Sequence, residues 1–101
     1  MKRPYSLPKG LRWEVFARDT ACVLSFLEEG HICRDRWGQV HDANNFDLLS
    51  LEHVKREGSM MGRKAPTDAR HLVALDAYTN ISVPSKKQRE LMRGHLDRVA
   101  P

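Results

Sequence analysis

The run Leu49-Ser50-Leu51-Glu52-His53-Val54 sets a carboxylate beside an imidazole inside a short apolar segment. Neighbouring side chains of a half-buried strand point to opposite faces, so one of Glu52 and His53 must face inward or into a cleft. A titratable group in that position costs free energy unless something pairs with it. A second group of chemistry-bearing residues lies upstream. Cys22, His31, Cys33 and His41 offer two sulfurs and two nitrogens, enough for a tetrahedral zinc of Cys₂His₂ type. Their spacings do not match a standard finger, and His31 and Cys33, two apart, share a face only on a strand. The plainer account makes both cysteines small buried hydrophobes and both histidines surface groups. Lys55, Arg56, Arg63 and Lys64 follow the Glu-His pair within one long polar segment. That segment is either a solvated surface or a place where a phosphate backbone passes, and the position favours phosphate contact.

The elements that must position these groups are short. From Lys9 to Asp19, Leu11, Val15 and Phe16 recur at helical spacing, with Trp13 and Ala17 at the edges. The stretch ACVLSFLEEG reads as a strand running into a turn at Gly30, and His31 to Asn45 is polar and mixed, with a turn at Trp37-Gly38. Leu48 to Val54 is the next strand. Lys55 to Asp68, with Gly58, Gly62 and Pro66, is a loop, and His71 to Leu75 a second short strand or turn of helix. Ser85-Lys86-Lys87-Gln88 fits a capping box, and Leu91, Met92, Leu96 and Val99 form the apolar stripe of a closing helix. The basic side of that helix, with Lys86, Lys87, Arg89 and Arg93, either extends the basic surface or is simply its solvent face.

A chain of 101 residues predicts one domain, here residues 10–101, preceded by a basic arm over residues 1–9 with Pro4 and Pro8. With 30% charged and 41% hydrophobic residues, the composition is that of a globular protein, not a disordered or membrane one. No apolar run is long enough for a bilayer and no signal-peptide core is present, so a cytoplasmic location is expected. Seventeen Lys and Arg against thirteen Asp and Glu give a net charge of +4, which attracts polyanions at low salt. Two cysteines are too few for a secreted disulfide framework.

Glu52-His53, a basic loop, His71 at the head of an apolar run and Asn80 nine residues later resemble, in order and spacing, the HNH endonuclease family. The upstream LRWEVFARDTACVL is similar to the lead-in often found before that motif, a short helix ending in Arg-Asp and then a Cys. The resemblance covers about residues 10 to 95 and is densest over 49 to 83. It implies an α+β fold: a small ββα-metal (His-Me finger) core around one divalent ion, with a preceding helix and a C-terminal helix. Asn80 at the closing position makes this similar to the HNN-type variants. Many relatives carry two Cys-x-x-Cys pairs for a structural zinc; here the second pair would fall at Asp76 and Thr79, so that zinc is not expected in its usual form. Asp76 is left as either an extra acidic ligand or a core-edge carboxylate. Lone domains of this length resemble those of bacteriophages and mobile elements, often encoded near DNA-packaging functions, which makes packaging proteins candidate partners.

The residue types suit phosphodiester hydrolysis. A neutral imidazole is the natural base for activating water near neutral pH, which fits His53. Its tautomer and orientation need a second group, by the resemblance His71 or its backbone carbonyl. Glu52 and Asn80 supply hard oxygen ligands for a Mg²⁺ or Mn²⁺ ion and leave room for water and phosphate. The expected function is therefore a metal-dependent DNA endonuclease. The alternatives are a catalytically inactive DNA-binding or protein-interaction module on the same fold, and a zinc-stapled interaction domain.

Overall fold

The computed structural model describes residues 10–56 and 66–101. The basic arm over residues 1–9, and Arg63 and Lys64 of the loop, lie outside the described residues. Helix α1 (Leu11–Asp19) buries Leu11, Val15, Phe16 and Asp19 along one stripe. It ends where Thr20 enters the left-handed region at φ 67° and its N–H closes on the Phe16 carbonyl at 2.8 Å, a cap usually left to glycine.

The segment expected as a strand from Ala21 to Gly30 is instead a turn and a single helical turn, α2 (Leu24–Leu27). Its backbone is anchored first: Cys22 N–H donates to the Ala43 carbonyl at 2.8 Å and Val23 N–H to that of Ala74 at 2.9 Å. The following amides then fold back on the carbonyls of residues 22–24. A short apolar run suits a buried helical turn as well as a strand, and periodicity alone does not separate them.

Strands β1 (Leu49–His53) and β2 (Leu72–Asp76) form a two-stranded antiparallel sheet, with Leu49 opposite Asp76 and His53 opposite Leu72. Every residue of β2 is buried. A strand with an open edge leaves backbone groups unpaired, and here the outer edge of β2 is closed by the chain between Arg18 and Val23. Arg18 Nη2 donates to the Leu72 carbonyl at 2.7 Å, Ala74 N–H donates to Asp19 Oδ2 at 2.9 Å, and Asp76 N–H donates to Cys22 Sγ at 3.3 Å. Asp19 is itself fully enclosed, taking Arg18 Nε at 2.7 Å and His95 Nε2 at 2.8 Å on Oδ1. Burial works to raise its pKa, but the bonds from His95, Arg18 and the Ala74 amide outweigh burial and hold it below the usual carboxylate range.

Helix α3 (Ala77–Ile81) starts directly from β2, capped by Asp76, whose side chain accepts the Thr79 N–H. Helix α4 (Lys86–Val99) has the expected capping box: Gln88 N–H to Ser85 Oγ at 3.1 Å and Ser85 N–H to Gln88 Oε1 at 2.9 Å. Met92 and Leu96 of α4 join Phe16, Leu24, Leu72 and Leu75 in the core. The architecture is α+β, helices packed about one small antiparallel sheet. Among the described residues no helix is long and apolar enough to cross a membrane.

Candidate active site

β1 ends at a cleft of about 400 Å³ lined by Glu52, His53, Lys55, Asn80, Arg89 and Arg93, with Val83, Pro84 and Met92 among its apolar wall. Adjacent strand residues ordinarily diverge. Here both line one cleft, Glu52 half-buried and His53 exposed as the last residue of β1. Burial pushes the Glu52 carboxyl up to about 7, against the opposing pull of the His53 backbone N–H and the Arg89 charge. His53 is exposed, and its Nε2 stands 3.1 Å from Thr67 Oγ1.

Asn80 comes from the middle of α3, and its position is set by β1. Nδ2 donates to Ser50 Oγ at 2.9 Å and to the Leu51 carbonyl at 3.1 Å. Both amide hydrogens are thereby committed, and the amide has only its oxygen to offer the cleft. Val83, which closes the connection from α3 to α4, has φ 68°, a strained conformation for a β-branched residue.

Two other expected participants are placed elsewhere. The His71 imidazole does not line the cleft: it is buried, and its Nδ1 is 2.7 Å from Asp68 Oδ1. Its backbone carbonyl is what approaches β1, accepting the Val54 N–H at 2.7 Å and so fixing the chain just past His53. Arg56 was expected at a phosphate. Its guanidinium is instead used within the fold, donating to the Arg70 and Ala100 carbonyls at 2.9 and 2.7 Å and pairing with Asp97 at 2.9 Å. Lys55 of the basic loop does line the cleft, joined by Arg89 and Arg93, which the sequence left undecided between a binding surface and a solvent face.

A second constellation lies apart from the cleft. Cys22, His31, Cys33 and Asp76 bring one sulfur, nitrogen or oxygen atom each within 4.8 Å of one another, a Cys/His/Asp cluster of metal-binding type. His41, expected in this set, is not part of it: its Nδ1 is 2.7 Å from the Asp42 carbonyl. Asp76 takes the fourth place because β2 delivers it to Cys22. Both cysteines are free thiols, and burial pushes the Cys22 and Cys33 thiols up. For Asp76, burial acts in the same direction, but hydrogen bonds from His31, the Arg34 N–H and Thr79 outweigh it and keep the group below its ordinary range.

No family model matches the chain, and neither a curated protein nor a solved structure matches it.

Proposed function

We propose that the cleft at the end of β1 is the active site of a metal-dependent endonuclease of HNH type that hydrolyses DNA phosphodiester bonds. The observation that carries this reading is the meeting of Glu52, His53 and Asn80, from two separate elements, in one cleft walled by Lys55, Arg89 and Arg93. The donor set fits a hard divalent cation: a half-buried carboxylate and an amide able to offer only oxygen. When bound, a Mg²⁺-class ion supplies charge stabilisation at the scissile phosphate and the leaving oxygen.

The protein's own groups do the rest. The exposed His53 imidazole takes the proton of the attacking water, and Thr67 Oγ1 holds the ring. The His71 carbonyl fixes the backbone beyond His53. Lys55, Arg89 and Arg93 hold the phosphate backbone without reading sequence. Substituting His53→Ala removes the base and lowers cleavage by about 10²–10⁴-fold.

The test is supercoiled plasmid incubated with wild type and His53→Ala in Mg²⁺, Mn²⁺ or EDTA. Nicking that needs both the metal and His53 supports the nuclease. Plasmid left intact by wild type under every metal, with salt-dependent DNA affinity retained, moves the protein to a non-catalytic DNA-binding role.

A further inference from the structure

We infer that Cys22, His31, Cys33 and Asp76 form a structural metal centre for one Zn²⁺-class ion, which fastens α3 to the rest of the fold. Three donor separations in the cluster are 3.9 Å from Cys22 Sγ to His31 Nε2, 2.9 Å from His31 Nε2 to Asp76 Oδ1, and 3.4 Å from Cys22 Sγ to Asp76 Oδ1. Ligand bonds of about 2.0–2.3 Å in a tetrahedron place donors about 3.3–3.8 Å apart, so the group is already near the required spacing. Two sulfurs, one imidazole and one carboxylate select a borderline-soft ion over Mg²⁺ or Ca²⁺.

The surroundings are arranged as those of a metal ligand set. Asp76 uses its two oxygens differently: Oδ2 accepts the Arg34 N–H at 3.2 Å, the Thr79 N–H at 3.2 Å and the Thr79 hydroxyl at 3.0 Å, while Oδ1 faces the cluster. One oxygen caps α3 and the other is placed for monodentate ligation. His31 turns Nε2 to the cluster, and its Nδ1 lies 2.9 Å from Glu28 Oε1, the outer carboxylate that orients a metal-bound histidine. Glu28 is held in turn by Gln88 Nε2 at 3.1 Å. Cys22 and Asp76 are fully buried, and Cys33 is 5% exposed. The ion therefore joins the stretch just after α1 and the 31–33 segment to the β2–α3 junction, which is distant from both in sequence. The inference stands whether or not the cleft cuts DNA.

The competing account is a metal-free network in which the His31 ring bridges Glu28 and Asp76 and the thiols are bystanders. Metal analysis of the purified full chain decides between them, with Co²⁺ as the spectroscopic probe. The centre predicts one zinc per chain and, with Co²⁺, a tetrahedral spectrum carrying a thiolate charge-transfer band. Cys33→Ser leaves the Cys22 thiolate and lowers that band by about half, Asp76→Asn weakens Co²⁺ affinity by about 100-fold, Glu28→Gln weakens it by about 10-fold, and His41→Ala leaves it unchanged. In wild type, which needs no variant to fold, zinc slows alkylation of both thiols at least about 10-fold relative to chelator-treated protein. The double variant Glu52→Gln/Asn80→Ala keeps its zinc. The inference is overturned by trace metal only, by a Co²⁺ spectrum without a thiolate band, by thiols equally reactive with and without zinc, by His41→Ala matching Asp76→Asn, or by zinc lost from the double variant.

Discussion

Glu52 gives the cleft a pH signature. Its carboxyl is raised by burial to about 7, above the ordinary value of 4.5. A folded-state pKa raised above the unfolded one means that the fold takes up a proton, so the contribution to stability is present below about 4.5 and is lost as pH rises through 7. Without Mg²⁺ or Mn²⁺, Glu52→Gln is expected to be more stable than wild type at pH 8, by about 1 kcal/mol once solvent screening at a partly exposed group is allowed for. The difference vanishes at pH 4. Chemical denaturation at the two pH values checks it, and equal stability at pH 8 refutes it. Saturating Mg²⁺ should reverse the order, since the carboxylate alone is an ionic ligand. That Glu52 or His53 meets a cleft was legible because a titratable pair in an apolar strand must turn one member inward, whereas Asn80 was placed beside them only through the family resemblance. His71 was not, since nothing local in a sequence tells whether its ring or its carbonyl meets the neighbouring strand. Asp76 stayed open for a different reason: an acidic ligand and a core-edge carboxylate draw on the same residue type, and here Oδ2 caps α3 while Oδ1 faces the Cys/His cluster.

At the scale of elements, the fold depends on how the β2 edge is closed. Asp19 holds Arg18, His95 and the Ala74 N–H together in a buried position. Asp19→Ala strands all three and should destabilise by about 3–5 kcal/mol, read from the urea midpoint. Because the Asp19 pKa is depressed, its stabilisation is present above the unfolded carboxylate value and is lost as pH falls through and below about 4. The variant should therefore lose much of its disadvantage in acid. The α3–α4 connection makes the opposite prediction. Val83 is 68% exposed at φ 68°, so Val83→Gly should relieve strain without losing packing and gain about 1 kcal/mol, a higher midpoint at unchanged m value. A loss of stability would contradict the strain account. The helices α1 and α4 were readable from stripes and the capping box. α2 was not, because its four-residue apolar run has too little period to distinguish helix from strand, and its shape follows from tertiary anchors at Ala43 and Ala74.

For the whole molecule, the net charge of +4 locates no surface by itself. The cleft does, through Lys55, Arg89 and Arg93. If each neutralises one phosphate, the plot of log affinity for duplex DNA against log salt should have a slope of about −3, and the Arg89→Ala/Arg93→Ala double variant a slope of about −1. Arg56→Ala should leave the slope unchanged and lower stability by about 1–2 kcal/mol, since the Arg70 and Ala100 carbonyls lose a charged donor. The sequence could not separate these arginines: one residue type serves a surface contact and an internal tie equally well, and only the packing of α4 puts Arg89 and Arg93 on the cleft while Arg56 is bonded to Arg70, Ala100 and Asp97.

The bond between Asp19 and His95 also orders events in time. The two residues are 76 apart in the chain, so during synthesis the carboxylate emerges long before its imidazole partner exists. A nascent chain stopped ahead of α4 has the N-terminal helix and both strands but neither the Met92 and Leu96 side of the core nor the His95 bond. Such chains should be open to protease, and protection should arrive abruptly once α4 is available to pack, making folding of the core nearly all-or-none.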